Sequence, residues 1–168
     1  MSDHSGPRRD EVSGTTVYVR PTRYVDPDPV VRRIGDRDLY LGNVHAADAD
    51  RHDHDFDRVV SVNSDPGTAT THHRPLSDDE HNEWTAFAAA VDAARRAHRA
   101  DGSALINCTA GISRSAAVLA TTLAAEEDRT FHDVLSEVLE HRPHATPHPA
   151  LHELGVIYLA ARGDSPLE

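Results

Sequence analysis

The stretch Ala104-Leu-Ile-Asn-Cys-Thr-Ala-Gly-Ile-Ser-Arg-Ser115 decides the fold expected for this chain. It follows a turn-forming Asp101-Gly-Ser103, and its first three residues are apolar, which predicts a short buried strand. The segment 115–127 is rich in alanine and leucine without glycine or proline, which predicts a helix. A strand, a tight loop and a helix N-terminus in this order form an anion site, because loop N–H groups converge where the helix dipole is positive.

The residues of this loop are suited to hold and attack a phosphate. Cys108 stands where the helix N-terminus and a guanidinium favour the thiolate, which predicts a nucleophile. Arg114 can grip two phosphate oxygens with its planar fork, and the Ser115 hydroxyl can hydrogen-bond the sulfur when it leaves. The backbone N–H groups expected to hold the oxygens belong to Thr109, Ala110, Gly111, Ile112, Ser113 and Arg114. The alternative is a buried, inert cysteine beside a surface arginine.

The motif Cys108-Thr-Ala-Gly-Ile-Ser-Arg-Ser115 resembles the signature loop of the dual-specificity protein phosphatases, within the protein tyrosine phosphatase superfamily. The resemblance extends over residues 34–161. It implies hydrolysis of phosphoserine, phosphothreonine and phosphotyrosine on proteins through a cysteinyl-phosphate intermediate, without a cofactor. Further segments that resemble the family are Asp38–Asn43, Phe56–Val62, Pro75–Asp78, Arg142–Pro143 and Pro147–His148.

The general acid is expected in the segment that resembles the family's acid-bearing loop. Asp78 lies thirty positions before Cys108, close to the family's usual interval, and it is the favoured acid. Such a group is needed because an alkoxide or phenoxide leaves poorly unless it is protonated. Asp79 and Glu80 are the rivals, and either aspartate could instead cap the helix that follows.

Asn107 departs from the family pattern, which has histidine immediately before the nucleophile. An asparagine can supply hydrogen bonds but no positive charge, so lower activity or a higher pH optimum is expected. The alternative function is therefore a weak or inactive pseudophosphatase that binds phosphate or phosphopeptides.

The whole pattern predicts a single α/β domain with a mainly parallel sheet of four to five strands, covered by helices on both faces. Residues 1–15 and 162–168 are expected to be flexible tails, and residues 16–161 the catalytic domain. The expected strands are Asp38–Gly42, Arg58–Asn63, His72–Leu76 and Ala104–Asn107. The expected helices are a short turn at His45–Ala49, then Asp79–His98, Ser113–Glu127, Phe131–Glu140 and Ala150–Ala161.

Composition narrows the partners. The net charge is −11 and all 17 basic residues are arginine, which disfavours binding to nucleic acid or to an anionic membrane surface. The acidity resembles that of proteins from salt-loving organisms, although a GC-rich genome would also favour Arg, Ala and Asp.

The cysteine and histidine content indicates a location and argues against a metal site. One cysteine excludes an internal disulfide and predicts a cytoplasmic location. The 13 histidines include a four-residue repeat at His144, His148 and His152, but interrupting prolines argue against a metal site. The expected partner is a phosphorylated protein or another phosphomonoester.

Overall fold

The computed structural model describes residues 8–12, 15–19 and 25–162. The strands are β1 (Arg8–Val12), β2 (Thr15–Val19), β3 (Val31–Arg33), β4 (Leu39–Gly42), β5 (Arg58–Ser61), β6 (His72–His73) and β7 (Ala104–Asn107). The helices are α1 (Trp84–Arg99), α2 (Arg114–Glu127), α3 (Phe131–His141) and α4 (Pro149–Ala161). Two short 3₁₀ turns lie at Val44–Ala47 and Ala49–Arg51.

The central sheet has five strands in the order β3-β4-β7-β5-β6. Strands β4, β7, β5 and β6 are parallel, and β3 joins β4 antiparallel at one edge. The middle strand β7 is buried along its whole length and pairs with β4 and β5. The loop after β7 therefore lies between the loops that follow β4 and β5, at the carboxyl edge where parallel sheets bind ligands. The predicted α/β fold class with a mainly parallel sheet is confirmed.

The two faces of the sheet are covered differently. All four α-helices contribute to one apolar cluster, which also contains Leu41, Val60 and Ile106 of the sheet. The opposite face carries Val59 and Leu105, and they pack against the alanines of the 3₁₀ turn at Val44–Ala47. Helices were expected on both faces of the sheet. The α-helices cover one face, and a short 3₁₀ turn with loop residues covers the other. Its small size suffices because few large apolar side chains point that way.

Helix α2 is the central helix of the helical layer. Its residues Ser115 to Ala124 are all buried, and α1, α3 and α4 pack around it. Repeated alanines permit this because small side chains let neighbouring helices approach closely. The helix that begins at the anion loop is therefore the most rigidly held helix of the domain.

Helix α1 begins at Trp84, and the predicted start at Asp79 is wrong. The Asn82 side chain accepts a hydrogen bond from Ser77 N (2.7 Å) and donates to Ser77 O (2.7 Å). Asp79 Oδ1 accepts from His81 N (2.7 Å). Such side-chain bonds to the backbone compete with helix formation. Residues 77–83 form a loop instead, and this loop carries Asp78.

Strand β6 is shorter than the predicted His72–Leu76, since Pro75 has no N–H to donate to a ladder. Two hydrogen bonds nevertheless continue along β5, from Arg74 N to Ser61 O (2.9 Å) and from Leu76 N to Val62 O (2.9 Å). They fix the backbone that leads into Asp78.

The expected tails lie partly outside the described residues. In the segment 1–15, the described residues 8–12 and Thr15 belong to β1 and β2, which pair antiparallel. Arg162 binds Ala124 O (3.1 Å) and Asp128 (2.6 Å), and residues 163–168 of the second predicted tail lie outside the described residues. No helix in the described ranges is long and apolar enough to cross a membrane.

Candidate active site

Cys108 lies directly after β7, at the carboxyl edge of the sheet, and it is only 2% exposed. Its backbone N–H donates to Gly42 O at the end of β4 (3.3 Å). Its Sγ lies 3.0 Å from Ser115 Oγ, in the first turn of α2. The structure thus brings together the predicted nucleophile and the hydroxyl that was expected to assist the sulfur.

The loop between Cys108 and Arg114 is held from outside through its carbonyl groups. Thr109 O accepts from Val44 N (3.0 Å), and Ile112 O accepts from Thr146 N (2.8 Å). These two donors come from the loop after β4 and from the segment before α4. Both ends of the loop are therefore fixed by parts of the chain that are distant in sequence.

Arg142 holds the two carbonyls in the middle of this loop, and sequence reasoning missed this role. Its Nη2 donates to Ala110 O (3.2 Å) and its Nε donates to Gly111 O (3.3 Å). The side chain is 4% exposed, so the bonds are shielded from water. The only sequence signal was the resemblance of Arg142–Pro143 to the family's closing segment, because a contact across about thirty residues leaves no local pattern.

The outward direction of four successive carbonyls fixes the direction of the N–H groups between them. In a trans peptide the C=O and N–H point in opposite directions. The N–H groups of residues 110–113 therefore point away from these outer donors, and within the described part of the chain they donate to no protein acceptor. They lie directly before the N-terminus of α2, which adds partial positive charge.

Gly111 is required in this loop. Its φ of +68° lies in the left-handed region, which side chains disfavour. A Cβ there would also lie 2.9 Å from the backbone carbonyl of Gly42. A larger residue would push the loop away from β4 and disturb the N–H array.

Arg114 begins α2, and its guanidinium bridges two parts of the site. Nη2 donates to Thr109 Oγ1 (2.9 Å) and Nη1 donates to Leu76 O (3.2 Å). The arginine expected to bind phosphate therefore also links the anion loop to the segment that carries the candidate acid.

The structure separates the rival acids. The Ser113 hydroxyl, in the anion loop, donates a short hydrogen bond to Asp78 Oδ1, and Ser113 Oγ accepts from His148 N (2.9 Å). Asp79 accepts from the backbone of His81 in its own loop, and Glu80 lies 3.5 Å from the His81 ring. Of these three carboxylates, Asp78 is the one that is hydrogen-bonded to the anion loop in the described residues.

The position directly before the nucleophile carries no charge. Asn107 occupies the position before the nucleophile and is fully buried. Burial, together with the neighbouring guanidinium of Arg142, lowers the pKa of His144. Arg114, Arg142 and the N-terminus of α2 supply positive charge at the loop. Within residues 8–12, 15–19 and 25–162 no group of three or more His, Cys, Asp or Glu side chains is placed to hold a metal ion.

This constellation resembles the site of the cysteine-based phosphatases of the tyrosine phosphatase superfamily, and known proteins of that superfamily are similar to this chain. A segment of 78 residues, 46% of this chain, is 36% identical to mouse dual specificity protein phosphatase 19. That segment spans 36% of the relative, so the chain covers about a third of the length of the curated protein that it matches. No protein-family model matches.

Solved structures match over most of the chain. A single-residue variant of human DUSP28 superposes with a TM-score of 0.70 at 26% identity, over 84% of this chain and 100% of that one. A mouse dual specificity phosphatase described as putative, in complex with zinc tungstate, superposes with a TM-score of 0.64 at 24% identity, over 86% of this chain and 96% of that one. At that identity the second likeness shows the fold alone. The chain is thus similar to dual-specificity protein phosphatases in sequence over 78 residues and in fold over most of its length.

Proposed function

We propose that this protein hydrolyses phosphomonoesters through a cysteinyl-phosphate intermediate on Cys108. The observation that carries the proposal is the loop that follows Cys108, whose four carbonyls at residues 109–112 are held by donors from distant segments. The N–H groups of residues 110–113 turn away from these donors, directly before the N-terminus of α2. Such an array stabilises the charge that develops on the phosphoryl oxygens in the transition state.

In the first step the Cys108 thiolate attacks phosphorus. The S–P bond forms, the P–O ester bond breaks, and the leaving oxygen takes a proton from Asp78. The N–H array and the remaining donors of Arg114 bind the three equatorial oxygens. Support for Asp78 comes from its bond to Ser113, which holds the carboxyl against the loop.

In the second step water attacks the phosphoryl group and the S–P bond breaks. Asp78, now ionised, accepts the proton of the water. The Ser115 hydroxyl, 3.0 Å from the sulfur, stabilises the departing thiolate. Inorganic phosphate leaves. Asp78 is again protonated and Cys108 is again a thiolate, so the enzyme is ready for another cycle.

The proposed substrates are phosphoserine, phosphothreonine and phosphotyrosine on proteins. A second candidate function, phosphate or phosphopeptide binding with little turnover, is favoured by Asn107, which supplies no positive charge beside the nucleophile. The two functions share the anion loop, so binding alone does not distinguish them.

The test is release of phosphate from an activated aryl phosphate, with binding of tungstate as a separate measurement. Molar potassium chloride screens the repulsion of a surface with a net charge of −11. The proposal expects turnover by the wild type, loss of turnover in Cys108→Ser, and tungstate binding in both. Tungstate binding without turnover in the folded wild type would favour the binding function. Serine-variant turnover close to the wild type would exclude the covalent mechanism.

A further inference from the structure

Asn107 is locked in one orientation beneath the anion loop. It ends β7, is fully buried, and spans from β5 to the residue after β4. Its Oδ1 accepts a hydrogen bond from Ser61 Oγ (2.6 Å), and its Nδ2 donates to Asn43 O (3.2 Å). The acceptor end and the donor end of the amide are therefore both used.

The Ser61 side of this contact has a fixed direction. Because Ser61 donates its one hydroxyl proton to Asn107, the 2.7 Å contact with Thr70 must have Thr70 Oγ1 as its donor. Thr70 Oγ1 in turn accepts from Gly67 N (2.9 Å). The chain of donors therefore runs toward Asn107 Oδ1, and the Asn43 carbonyl, which can only accept, fixes this orientation of the amide.

The Asn43 side leads directly to the anion loop. The carbonyl of Asn43 and the N–H of Val44 belong to one peptide group. Asn107 holds the carbonyl edge of that group, and its N–H edge donates to Thr109 O (3.0 Å). Asn43 cannot turn away, because its own fully buried Oδ1 accepts from Val30 N (3.0 Å) and Ala46 N (3.2 Å).

We propose that Asn107 is a positioning residue that aims the Ala110 N–H at the phosphoryl group through the Asn43–Val44 peptide. The proposal rests on the proposed function. Thr109 O and Ala110 N–H are opposite edges of one peptide group, so holding the first aims the second. The amide does not titrate, so this support is constant with pH.

The substitution Asn107→Asp tests the direction of the bonds with almost no change in shape. The new carboxylate still accepts from Ser61, but its second oxygen faces the oxygen of Asn43 and repels it. Protonation supplies a hydroxyl that can donate to Asn43 O and restores the original pattern. Burial and the facing carbonyl raise the pKa of the new carboxyl into the accessible range.

The measurement is the ratio of variant to wild-type kcat/KM, together with the ratio of their tungstate inhibition constants, from pH 8 to pH 5. Taking the ratio removes the titrations that both proteins share. A donor removed outright costs ~10²–10³ in rate, and a donor only misaimed is expected to cost about tenfold at neutral pH. The loss should shrink as the pH falls. A ratio near one at neutral pH, or a loss that stays constant with pH, overturns the proposal.

Three further variants keep the test decisive if Asn107→Asp does not fold. Ser61→Ala should weaken tungstate binding in the wild-type background and add nothing in an Asn107→Leu background, because both act through one chain of bonds. Thr122→Val is the matched control: it removes a buried hydroxyl that binds Val118 O (2.7 Å) in α2, away from this chain. It should leave the tungstate constant unchanged. Equal effects of Ser61→Ala and Thr122→Val would overturn the proposal, while a wild type that neither binds tungstate nor turns over would instead reject the proposed function.

Discussion

Replacing Asp78 with asparagine removes a transferable proton and keeps the shape of the side chain. The asparagine oxygen can still accept the hydrogen bond from Ser113, which also accepts from His148 N (2.9 Å). The contact between the acid segment and the anion loop therefore survives. The variant tests acid catalysis and not the fold.

The size of the effect depends on the leaving group. A positioned general acid contributes ~10²–10⁴ in rate, equivalent to about 3–5 kcal/mol of activation free energy. Asp78→Asn should lose that factor on a phosphoserine peptide, whose alkoxide needs a proton. It should lose much less on an aryl phosphate with an acidic phenol. The decline of the rate at high pH, where a carboxylic acid has lost its proton, should also flatten.

Asp79→Asn is the matched control. Its carboxylate accepts the backbone N–H of His81 (2.7 Å), within the same loop. Its substitution weakens one local hydrogen bond, typically worth about 0.5–1.5 kcal/mol, and should leave the rate on both substrates unchanged. The assignment is refuted if the two variants behave alike, or if Asp79→Asn alone shows the dependence on leaving group.

Three other substitutions test the frame of the site. Arg114→Lys keeps the positive charge but loses the planar fork of the guanidinium. Steady-state kinetics should show a loss of ~10²–10³ in kcat. A loss below tenfold would mean that the loop N–H groups, and not this side chain, stabilise the charge. Arg142→Met leaves the partly buried Ala110 carbonyl and the buried Gly111 carbonyl without these donors, and the buried one alone costs about 1–3 kcal/mol. Urea unfolding should therefore show lower stability, and titration should show weaker tungstate binding. Unchanged tungstate binding would contradict the role given to Arg142. The third substitution is Glu137→Gln. Hydrogen bonds from Arg37, and to a smaller extent from Arg129, lower the pKa of Glu137 to about 2, below its ordinary 4.5. The ionised Glu137 therefore stabilises the folded state above pH 4.5, and this contribution is lost as the pH falls toward 2. The unfolding free energies of wild type and Glu137→Gln should therefore converge over that range, and a difference that stays constant down to pH 2 would contradict the account.

The nucleophile loop and its flanks were predictable because local chemistry decides them. Ala104–Asn107 is a strand as predicted, since an apolar run bounded by a glycine turn has no other way to be buried. Helix α2 begins within one residue of its predicted start, because Arg114 follows the small residues of the loop and alanines continue from it.

The features that sequence reasoning missed depend on contacts between distant segments. Arg142 lies about thirty residues from the carbonyls that it binds. Asn107 appeared to be a missing cation, and its use as a two-ended support became visible only with Ser61 and Asn43 beside it. The start of α1 was misplaced because Asn82 bonds back to Ser77, which helix propensity does not register.

The measurement that tests the central claim most directly is detection of the phosphoryl group on Cys108. The Asp78→Asn variant should form the intermediate from an activated aryl phosphate, whose leaving group hardly needs a proton, and should hydrolyse it slowly because the base for water is gone. The reaction is quenched in denaturant during turnover, and the peptide that contains Cys108 is analysed by mass spectrometry. We expect one added phosphoryl group on Cys108, and we expect it to disappear when the substrate is exhausted. Sustained turnover with Cys108 unmodified, or with the phosphoryl group on another side chain such as Ser115, would contradict it.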